Sequence, residues 1–322
     1  MTAPTPLARG VWGILATPFH GPDRAIDPGS FSRQIELYHR IGATGVVALG
    51  VFGEAAKLDA DEQRVIVRTA VGAAGDLPVV VGLTGLSTAP VLAQARTAAE
   101  AAEGRLAGLM VQVNDADPDV VSTHLTTVHD GTGLGVVVQD YPATSGVRIA
   151  ASSLLEVVAA TPSTVAIKAE SPPTSVAVAR LTAGTDVPVF GGLGGVGLID
   201  ELAAGAAGAM TGFSHPEGLV AAVEAYRVGG FAAARDAFAP WLPIANFEAQ
   251  AGIQLALRKE ILRRRGLIDD ATIRRPGLEL PSALAALLDQ HLVAAAELLE
   301  RDRPGVRREL RSGMQGPTWR RQ

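Results

Sequence analysis

The chain alternates short apolar runs with longer alanine-rich segments, and this alternation constrains the fold more than any other feature. The apolar runs begin at Val11, Gly45, Pro78, Ala107, Leu134, Thr164, Val187 and Ala207. Each run is about as long as a strand and nearly continuous in apolar character, which is typical of parallel strands covered on both faces. The segments between them carry helical patterns, and several end in glycine, as helices commonly do. Repeated strand–helix units predict a parallel sheet.

Eight such units fit an α/β TIM barrel, a closed (β/α)8 barrel whose usual length is about 250 residues. We expect this barrel over residues 8–229, because an open doubly wound sheet usually has fewer strands. The segments that follow have the pattern of about three further helices and predict a C-terminal helical extension over 230–302. The end of the chain, 303–322, is rich in Arg and poor in apolar residues, and it is predicted to be disordered.

Composition excludes several classes of function. With 28 Lys and Arg against 33 Asp and Glu, the net charge of −5 argues against nucleic-acid binding. The chain has no cysteine, which excludes thiolate metal sites and a cysteine nucleophile, and its six histidines are scattered, so neither a metal nor another cofactor is expected. No apolar run reaches the roughly 18 residues of a membrane span, and no secretory signal is visible. A cytoplasmic protein is therefore predicted.

Lys168, at the end of the run TVAIKA, is the most informative single residue. The only other lysines are Lys57 and Lys259. Barrels carry their sites at the C-terminal ends of the strands, and an ammonium buried there is costly unless it is paired or desolvated to the neutral amine. A neutral lysine attacks carbonyl groups and forms Schiff bases. The alternative is a structural ion pair with Glu170. Side chains two residues apart lie on the same face of a strand, so Glu170 is expected to point into the same end of the barrel as Lys168.

Two glycine-containing segments follow strands and are candidate anion sites. GVFGEAAKL, from Gly50, can present backbone N–H groups to a carboxylate or phosphate, or it can be an ordinary turn. GGLGGVGL, from Gly191, contains the dinucleotide-binding spacing G-x-G-x-x-G between Gly192 and Gly197, with the acidic Glu217 about twenty residues later. That fingerprint normally occupies the first βα turn of its domain, and six units precede it here. The dinucleotide interpretation is therefore the weaker one.

Taken in order, several motifs resemble those of the dihydrodipicolinate synthase / N-acetylneuraminate lyase family of class I aldolases. The motifs are ATPF (16–19), G-x-x-G-E (50–54), DYPATSG (140–146), AIK ending at Lys168, the glycines after the seventh strand and GAAGAMTG (205–212). The resemblance implies a TIM barrel with a C-terminal helical domain, a homo-oligomer of two or four copies, and chemistry on 2-keto acids through a pyruvate Schiff base.

The same resemblance implies roles for individual residues. Lys168 corresponds to the Schiff-base lysine. Val51 and Phe52 fall where members usually have Thr or Ser, in a loop that binds the substrate carboxylate largely through backbone N–H groups. Gly192 and Met210 match positions that line the pyruvate pocket.

The chain differs from the family at the residue that relays protons during the reaction. Gln139 stands in place of the tyrosine that relays protons, and glutamine cannot do general acid–base work, which contributes roughly 10²–10⁴-fold to rate. The expected replacements are Glu170, by its strand parity with Lys168, and then Tyr141, the one tyrosine at a strand end. Asp140 is a third candidate whose parity points it away from the barrel. Thr144 aligns near the arginine that synthases use to bind a second substrate, so synthase activity is not expected.

The sequence thus predicts a Schiff-base lyase, an aldolase or a dehydratase, that acts on a 2-keto acid or aldehyde, with sugar-derived acids among the candidates. Two alternatives stay open. The first is a catalytically weak family member that binds a keto acid or serves as a regulatory or interaction subunit. The second is a barrel enzyme that binds a phosphorylated ligand with the loops after its seventh and eighth strands.

Overall fold

The structure, a computed structural model, describes residues 4–301. Its strands are β1 Gly10–Ile14, β2 Phe19–His20, β3 Ala25–Ile26, β4 Gly45–Ala48, β5 Val79–Leu83, β6 Leu106–Gln112, β7 Val136–Asp140, β8 Thr164–Ala169, β9 Val189–Gly191 and β10 Gly208–Thr211. Its α-helices are α1 Pro28–Arg40, α2 Ala60–Ala73, α3 Thr88–Ala102, α4 Pro118–Thr132, α5 Pro142–Ser145, α6 Ala151–Ala160, α7 Thr174–Thr182, α8 Leu198–Ala203, α9 Pro216–Phe238, α10 Leu242–Glu248, α11 Gln254–Arg264 and α12 Ser282–Arg301. The tail predicted to be disordered, 303–322, lies outside the described residues.

Strands β1 and β4 to β10 form a closed parallel barrel, in which β1 pairs with both β4 and β10. These strands coincide with the eight apolar runs of the sequence, so the predicted TIM barrel is confirmed. The antiparallel pair β2–β3 lies outside the barrel and was not predicted. Strands of two residues are too short to show a hydrophobic period, which is why the sequence gives no sign of them.

Several barrel helices begin where the sequence supplies a side-chain cap. The carboxylate of Asp27 accepts the backbone N–H of Ser30 at the start of α1. At the start of α2, Asp59 and Glu62 form a reciprocal capping box, in which each side chain accepts the other residue's backbone N–H. Such caps satisfy backbone donors that a helix terminus would otherwise leave without partners. They fix the chain's exit from the loops that follow the strands.

The two faces of each strand pack into different cores, and this places Lys168. Ile167 and Ala169 of β8 belong to the cluster between the barrel and its helices. Phe190 and Val137, on the neighbouring strands, belong to the cluster that fills the barrel interior. Because side chains alternate along a strand, Lys168 lies on the inner face, and the register sets it beside Gln139 on β7 and Phe190 on β9.

The C-terminal helices pack against one side of the barrel through a second core cluster. Phe213, after β10, shares this cluster with Leu257 of α11 and Leu288 of α12. The backbone of α9 leaves the helical conformation at Gly230, with φ 68° and ψ −158°. The predicted boundary between the barrel and the C-terminal extension lies at this residue, and it stays a prediction.

By length and composition alone, one helix within residues 4–301, Ser282–Glu300, is apolar enough to cross a membrane. Leu288 and Ala295 of this helix are buried in the second core cluster, and 11% of its apolar stretch is buried in all. The expectation that the chain has no membrane partner stays a prediction.

Candidate active site

A cavity of about 600 Å³ opens at the C-terminal ends of the barrel strands. It is lined by six of the eight residues that the sequence analysis selected, namely Lys168, Glu170, Tyr141, Gln139, Val51 and Phe52. The other two do not reach its surface. Gly192 lies against Glu170, and Met210 is fully buried in the core of the barrel interior, next to Thr211, which does line the cavity.

Lys168 and Glu170 form a buried ion pair in this cavity. Their residues are 5% and 4% exposed, and Lys168 Nζ lies 3.0 Å from Glu170 Oε2. The same oxygen accepts a hydrogen bond from Gln139 Nε2 at 2.8 Å, and Glu170 Oε1 accepts one from the backbone N–H of Leu193 at 3.1 Å. The Lys168–Glu170 ion pair, which the sequence offered as the alternative to a free lysine, is therefore present. It also places a carboxylate within proton-transfer distance of the amine.

Tyr141 and Asp140, the other candidates for moving protons, differ in position. Tyr141 lines the cavity, and burial, reinforced by the negative charge of Glu170, raises the pKa of its hydroxyl. Asp140 is buried outside the cavity lining, as its strand parity predicts. Burial, and then the charge of Glu170, raises the pKa of Asp140 to about 6. Of the two residues, only Tyr141 is placed to meet a bound molecule.

The loop after β4 presents backbone donors next to the pair. Leu49 and Glu54 have left-handed backbones, with φ 59° and 55°, which turns the chain tightly between them. The N–H groups of Val51, Phe52 and Gly53 have no acceptor within residues 4–301. Consecutive free N–H groups in a tight turn form a site for a carboxylate or a phosphate. The side chains of Val51 and Phe52 bring no hydroxyl to this loop.

Glu54, at the end of this loop, anchors it to the C-terminal part of the chain. The buried carboxylate accepts hydrogen bonds from Lys259 Nζ at 2.6 Å, Lys57 Nζ at 3.0 Å and the backbone N–H of Arg274 at 2.9 Å. Burial lowers the pKa of Lys259 to about 8, while the charge of Glu54 opposes that shift. The loop is therefore held by a buried charge network rather than by packing alone.

Three glycines at the end of β9 and just after it leave room for ionisable side chains. A Cβ at Gly191 would overlap Glu201, one at Gly192 would overlap Glu170, and one at Gly194 would overlap the guanidinium of Arg258. The nearby backbone N–H groups already have acceptors, since Leu193 N donates to Glu170 and Gly194 N donates to Thr211 Oγ1 at 2.7 Å. Close packing against charged side chains thus accounts for the glycine spacing without a dinucleotide.

The chain matches the dihydrodipicolinate synthetase family over residues 7–294. It belongs to that family. Over 296 residues it is 29% identical to the L-2-keto-3-deoxyarabonate dehydratase of Azospirillum brasilense, which covers 88% of this chain and 94% of the relative. It is also 39% identical over 173 residues to a 4-hydroxy-tetrahydrodipicolinate synthase of Xanthomonas axonopodis pv. citri, over 52% of this chain and 56% of that protein.

A crystal structure of the dihydrodipicolinate synthase of Rhodopseudomonas palustris has the same fold. It superposes with a TM-score of 0.83 at 30% identity, and the alignment covers 91% of this chain and all of that one. The resemblance inferred from the motifs is confirmed by these comparisons. Membership of the dihydrodipicolinate synthetase family, together with the similarity to a dehydratase, assigns the chain to lyases of the class I aldolase type.

Within this member of the dihydrodipicolinate synthetase family, sequence reasoning missed the cavity residues supplied by other segments. Arg258 and Lys57 line the cavity, and Lys259 holds Glu54 behind it. One sequence signal could have found two of them, because the chain's three lysines, Lys57, Lys168 and Lys259, all lie at or behind the cavity. Arg258 carries no such signal among many arginines. No group of three or more His, Cys, Asp or Glu side chains able to hold a metal occurs between residues 4 and 301.

Proposed function

We propose that the chain is a Schiff-base lyase that dehydrates or cleaves a 2-keto acid on Lys168. The observation that carries the proposal is the amine of Lys168, buried on the inner face of the barrel at 3.0 Å from the Glu170 carboxylate and open to the cavity. The free N–H groups of Val51 and Phe52 supply a site for the substrate carboxylate. The similarity to a 2-keto-3-deoxyarabonate dehydratase supports a sugar-derived acid and dehydration.

Imine formation requires a neutral amine and a route for its proton. Glu170 Oε2 takes a proton from the Lys168 ammonium, and the freed amine adds to the C2 carbonyl carbon of the substrate. The resulting carbinolamine loses its hydroxyl as water when a proton returns to that oxygen from Glu170 or from Tyr141. Burial raises the pKa of Tyr141, so its hydroxyl stays protonated at neutral pH and is a proton donor there.

The iminium then serves as an electron sink for the bond that breaks next. In a dehydration, Glu170 removes a proton from C3, and the enamine expels the C4 hydroxyl, which leaves as water after gaining a proton. In a cleavage, the C4 hydroxyl gives its proton to the Glu170 carboxylate and the C3–C4 bond breaks, with its electron pair passing to the enamine. The enamine then takes up a proton at C3, which restores the iminium. Hydrolysis of the imine in either case returns Lys168 as the free amine.

The hydrogen bonds of Glu170 favour a second candidate, a protein that binds a keto acid without turning it over. Both oxygens of Glu170 have partners, and three donors, from Gln139, Lys168 and Leu193, hold the carboxylate in place. A substrate proton would have to compete with these three donors for the carboxylate. In that case the cavity serves as a binding site, with Lys168 as its cation.

The two candidates are separated by borohydride trapping followed by a turnover assay. The protein is incubated with pyruvate, reduced with sodium borohydride, and digested for mass spectrometry. Because the chain has three lysines, peptide mapping assigns the adduct directly. We expect an adduct on Lys168 that is absent from Lys168→Arg and from samples reduced without pyruvate. Absence of an adduct from the folded protein refutes the lyase proposal, and an adduct without turnover of any keto-deoxy sugar acid favours the binding protein.

We also propose that the chain works as a homo-oligomer, a dimer or a tetramer, in the cytoplasm. Support comes from its family membership and from the exposed apolar side chains Val228 and Phe231 on α9 and Val293 on α12. Sedimentation velocity measures the oligomer, and a single monomeric species at micromolar concentration contradicts it. Fractionation of the source cells tests the location.

A further inference from the structure

Arg258, on helix α11, brings a guanidinium from outside the barrel into the cavity wall. The residue is 9% exposed and lines the same cavity as Lys168 and Tyr141. Its Nε donates to Glu248 Oε2 at 3.0 Å. Within residues 4–301, its two terminal nitrogens, Nη1 and Nη2, have no hydrogen-bond acceptor. They are also not among the polar atoms closed off from solvent. Arg258 therefore presents free donors to the cavity.

The surroundings of Arg258 hold this guanidinium in one place. Its partner Glu248 is fully buried and also accepts hydrogen bonds from the hydroxyl and the backbone N–H of Ser214, which follows the last barrel strand. The Phe52 ring lies with its centroid 5.3 Å from Arg258 Cζ. The absence of a side chain at Gly194 makes room for Nη2. A group fixed in this way loses little conformational freedom when it binds a ligand.

Arg258 is the one cation of this lining whose carboxylate partner, Glu248, lies outside the lining. The ionisable residues of the lining are Glu54, Lys57, Lys168, Glu170 and Arg258, apart from Tyr141. Lys57 pairs with Glu54 and Lys168 pairs with Glu170. The carboxylate that neutralises Arg258 comes from outside the lining, behind the guanidinium. The terminal nitrogens of Arg258 are consequently open to an anionic group of a bound ligand.

The cavity is also larger than a three-carbon keto acid requires. About 600 Å³ falls within the range of roughly 300–1,000 Å³ that encloses drug-sized ligands. The cavity therefore has room for a substrate on Lys168 that is longer than pyruvate. Arg258 lies on the part of the wall that the C-terminal helices supply, together with Leu255 and Gln254 of the same helix.

We propose that Arg258 binds a carboxylate at the far end of the substrate, so that the preferred substrate is a 2-keto acid with a second, distal carboxylate. The two terminal nitrogens of a guanidinium match the two oxygens of a carboxylate in a planar, bidentate pair. A neutral hydroxymethyl end offers a single oxygen and no charge. The inference rests on the proposed imine at Lys168 and adds to it the chemical class of the substrate.

The test uses two five-carbon 2-keto acids, 2-oxoglutarate and 2-oxopentanoate, whose far ends are a carboxylate and a methyl group. The measured quantity is the concentration of each acid that half-saturates borohydride trapping on Lys168. We expect 2-oxoglutarate to half-saturate at a concentration about tenfold lower, as for one charge-assisted interaction. In Arg258→Met this preference falls to about twofold or less, while in Arg258→Lys, which keeps a point charge, it is intermediate.

Two further variants keep the result interpretable. Arg263→Met removes an arginine from the same helix that is exposed and paired with Glu260, and it should keep the wild-type preference. Arg258→Met combined with Glu248→Gln removes both members of the buried pair, so that no unpaired charge is left to unfold the protein. It should show the same loss of preference as Arg258→Met, with a thermal unfolding curve that remains cooperative.

The outcomes separate this inference from the function on which it rests. If wild type traps pyruvate but shows no preference for 2-oxoglutarate, or if the preference survives in both Arg258→Met and the double variant, the inference is overturned and the imine chemistry stands. If no keto acid is trapped at all, the proposed function fails and the inference fails with it.

Discussion

Glu201, on helix α8, has a carboxyl that is buried without a good hydrogen-bond partner. Its replacement by glutamine tests how burial of this carboxyl changes the stability of the protein with pH. The residue is 1% exposed, and neither carboxyl oxygen makes a hydrogen bond of good geometry within residues 4–301. Burial raises the pKa of Glu201 to about 7, with a smaller contribution from the charge of Glu170 and an opposing one from the Thr174 hydroxyl. The folded protein therefore prefers this carboxyl protonated.

The magnitude follows from the two pKa values. A carboxyl that titrates at 4.5 in the unfolded chain and at about 7 in the folded protein favours folding by about 3 kcal/mol when protonated, at about 1.4 kcal/mol per pKa unit. Because the folded pKa is the higher one, this stabilisation is complete below about pH 4.5 and is lost as the pH rises through about 7. Glutamine stays neutral and does not lose it. We expect Glu201→Gln to gain about 3 kcal/mol relative to wild type between pH 4.5 and pH 8.

The assay is urea unfolding followed by circular dichroism at half-unit steps across this pH range. The measured quantity is the difference in unfolding free energy between variant and wild type, so that contributions common to both proteins, such as the titration of His215 and Asp140, cancel. Asp200→Asn, an exposed change on the same helix, is the matched control and should give a difference that barely changes with pH. A flat difference curve for Glu201→Gln would refute the argument that burial perturbs this carboxyl.

Three further predictions address the loop, the ion pair and the proton donor. Glu54→Gln leaves Lys259 buried without its anion and should lower the unfolding free energy by about 3–5 kcal/mol in urea titrations, whereas a loss under 1 kcal/mol would show the network to be dispensable. Gly192→Ala introduces a Cβ that displaces Glu170, so keto-acid turnover should fall about tenfold or more, while Gly72→Ala, at an open helix position, should keep full turnover. Tyr141→Phe should lower kcat about 10²-fold and still allow trapping on Lys168, and an unchanged kcat would exclude the tyrosine as the donor.

The barrel and the position of Lys168 could be predicted from sequence because both depend on local pattern. Each strand is a short apolar run, and parallel strands covered on both faces produce this pattern regardless of what surrounds them. Parity along β8 predicts Lys168 and Glu170 on the inner face, and parity along β7 predicts Asp140 away from it; the structure places them in the same way. No long-range information was needed for these inferences.

The remaining parts of the cavity depend on contacts between distant segments, which a periodic pattern does not encode. Glu54 and Lys259 are 205 positions apart in the chain, yet their side chains form one buried pair. Arg258 enters the cavity because α11 packs against the barrel, and nothing in the segment QLALRKEILRR distinguishes it from the exposed arginines beside it. The placement of Met210 shows a related limit, since a motif match fixes the strand but not which neighbouring residue reaches the cavity surface.

The segment Gly191–Gly197 shows how one pattern can have two physical causes. A glycine spacing that makes room for a pyrophosphate and one that makes room for polar side chains look alike in sequence. Both require backbone positions that carry no side chain. Here the space at Gly191, Gly192 and Gly194 is taken by Glu201, Glu170 and Arg258. Glu170 pairs with Lys168, Glu201 is the buried carboxyl whose titration we predict, and Arg258 is the proposed anchor for the substrate's far end. The loop is therefore expected to tolerate substitution least where these side chains meet it, and the Gly192→Ala measurement tests that expectation most directly.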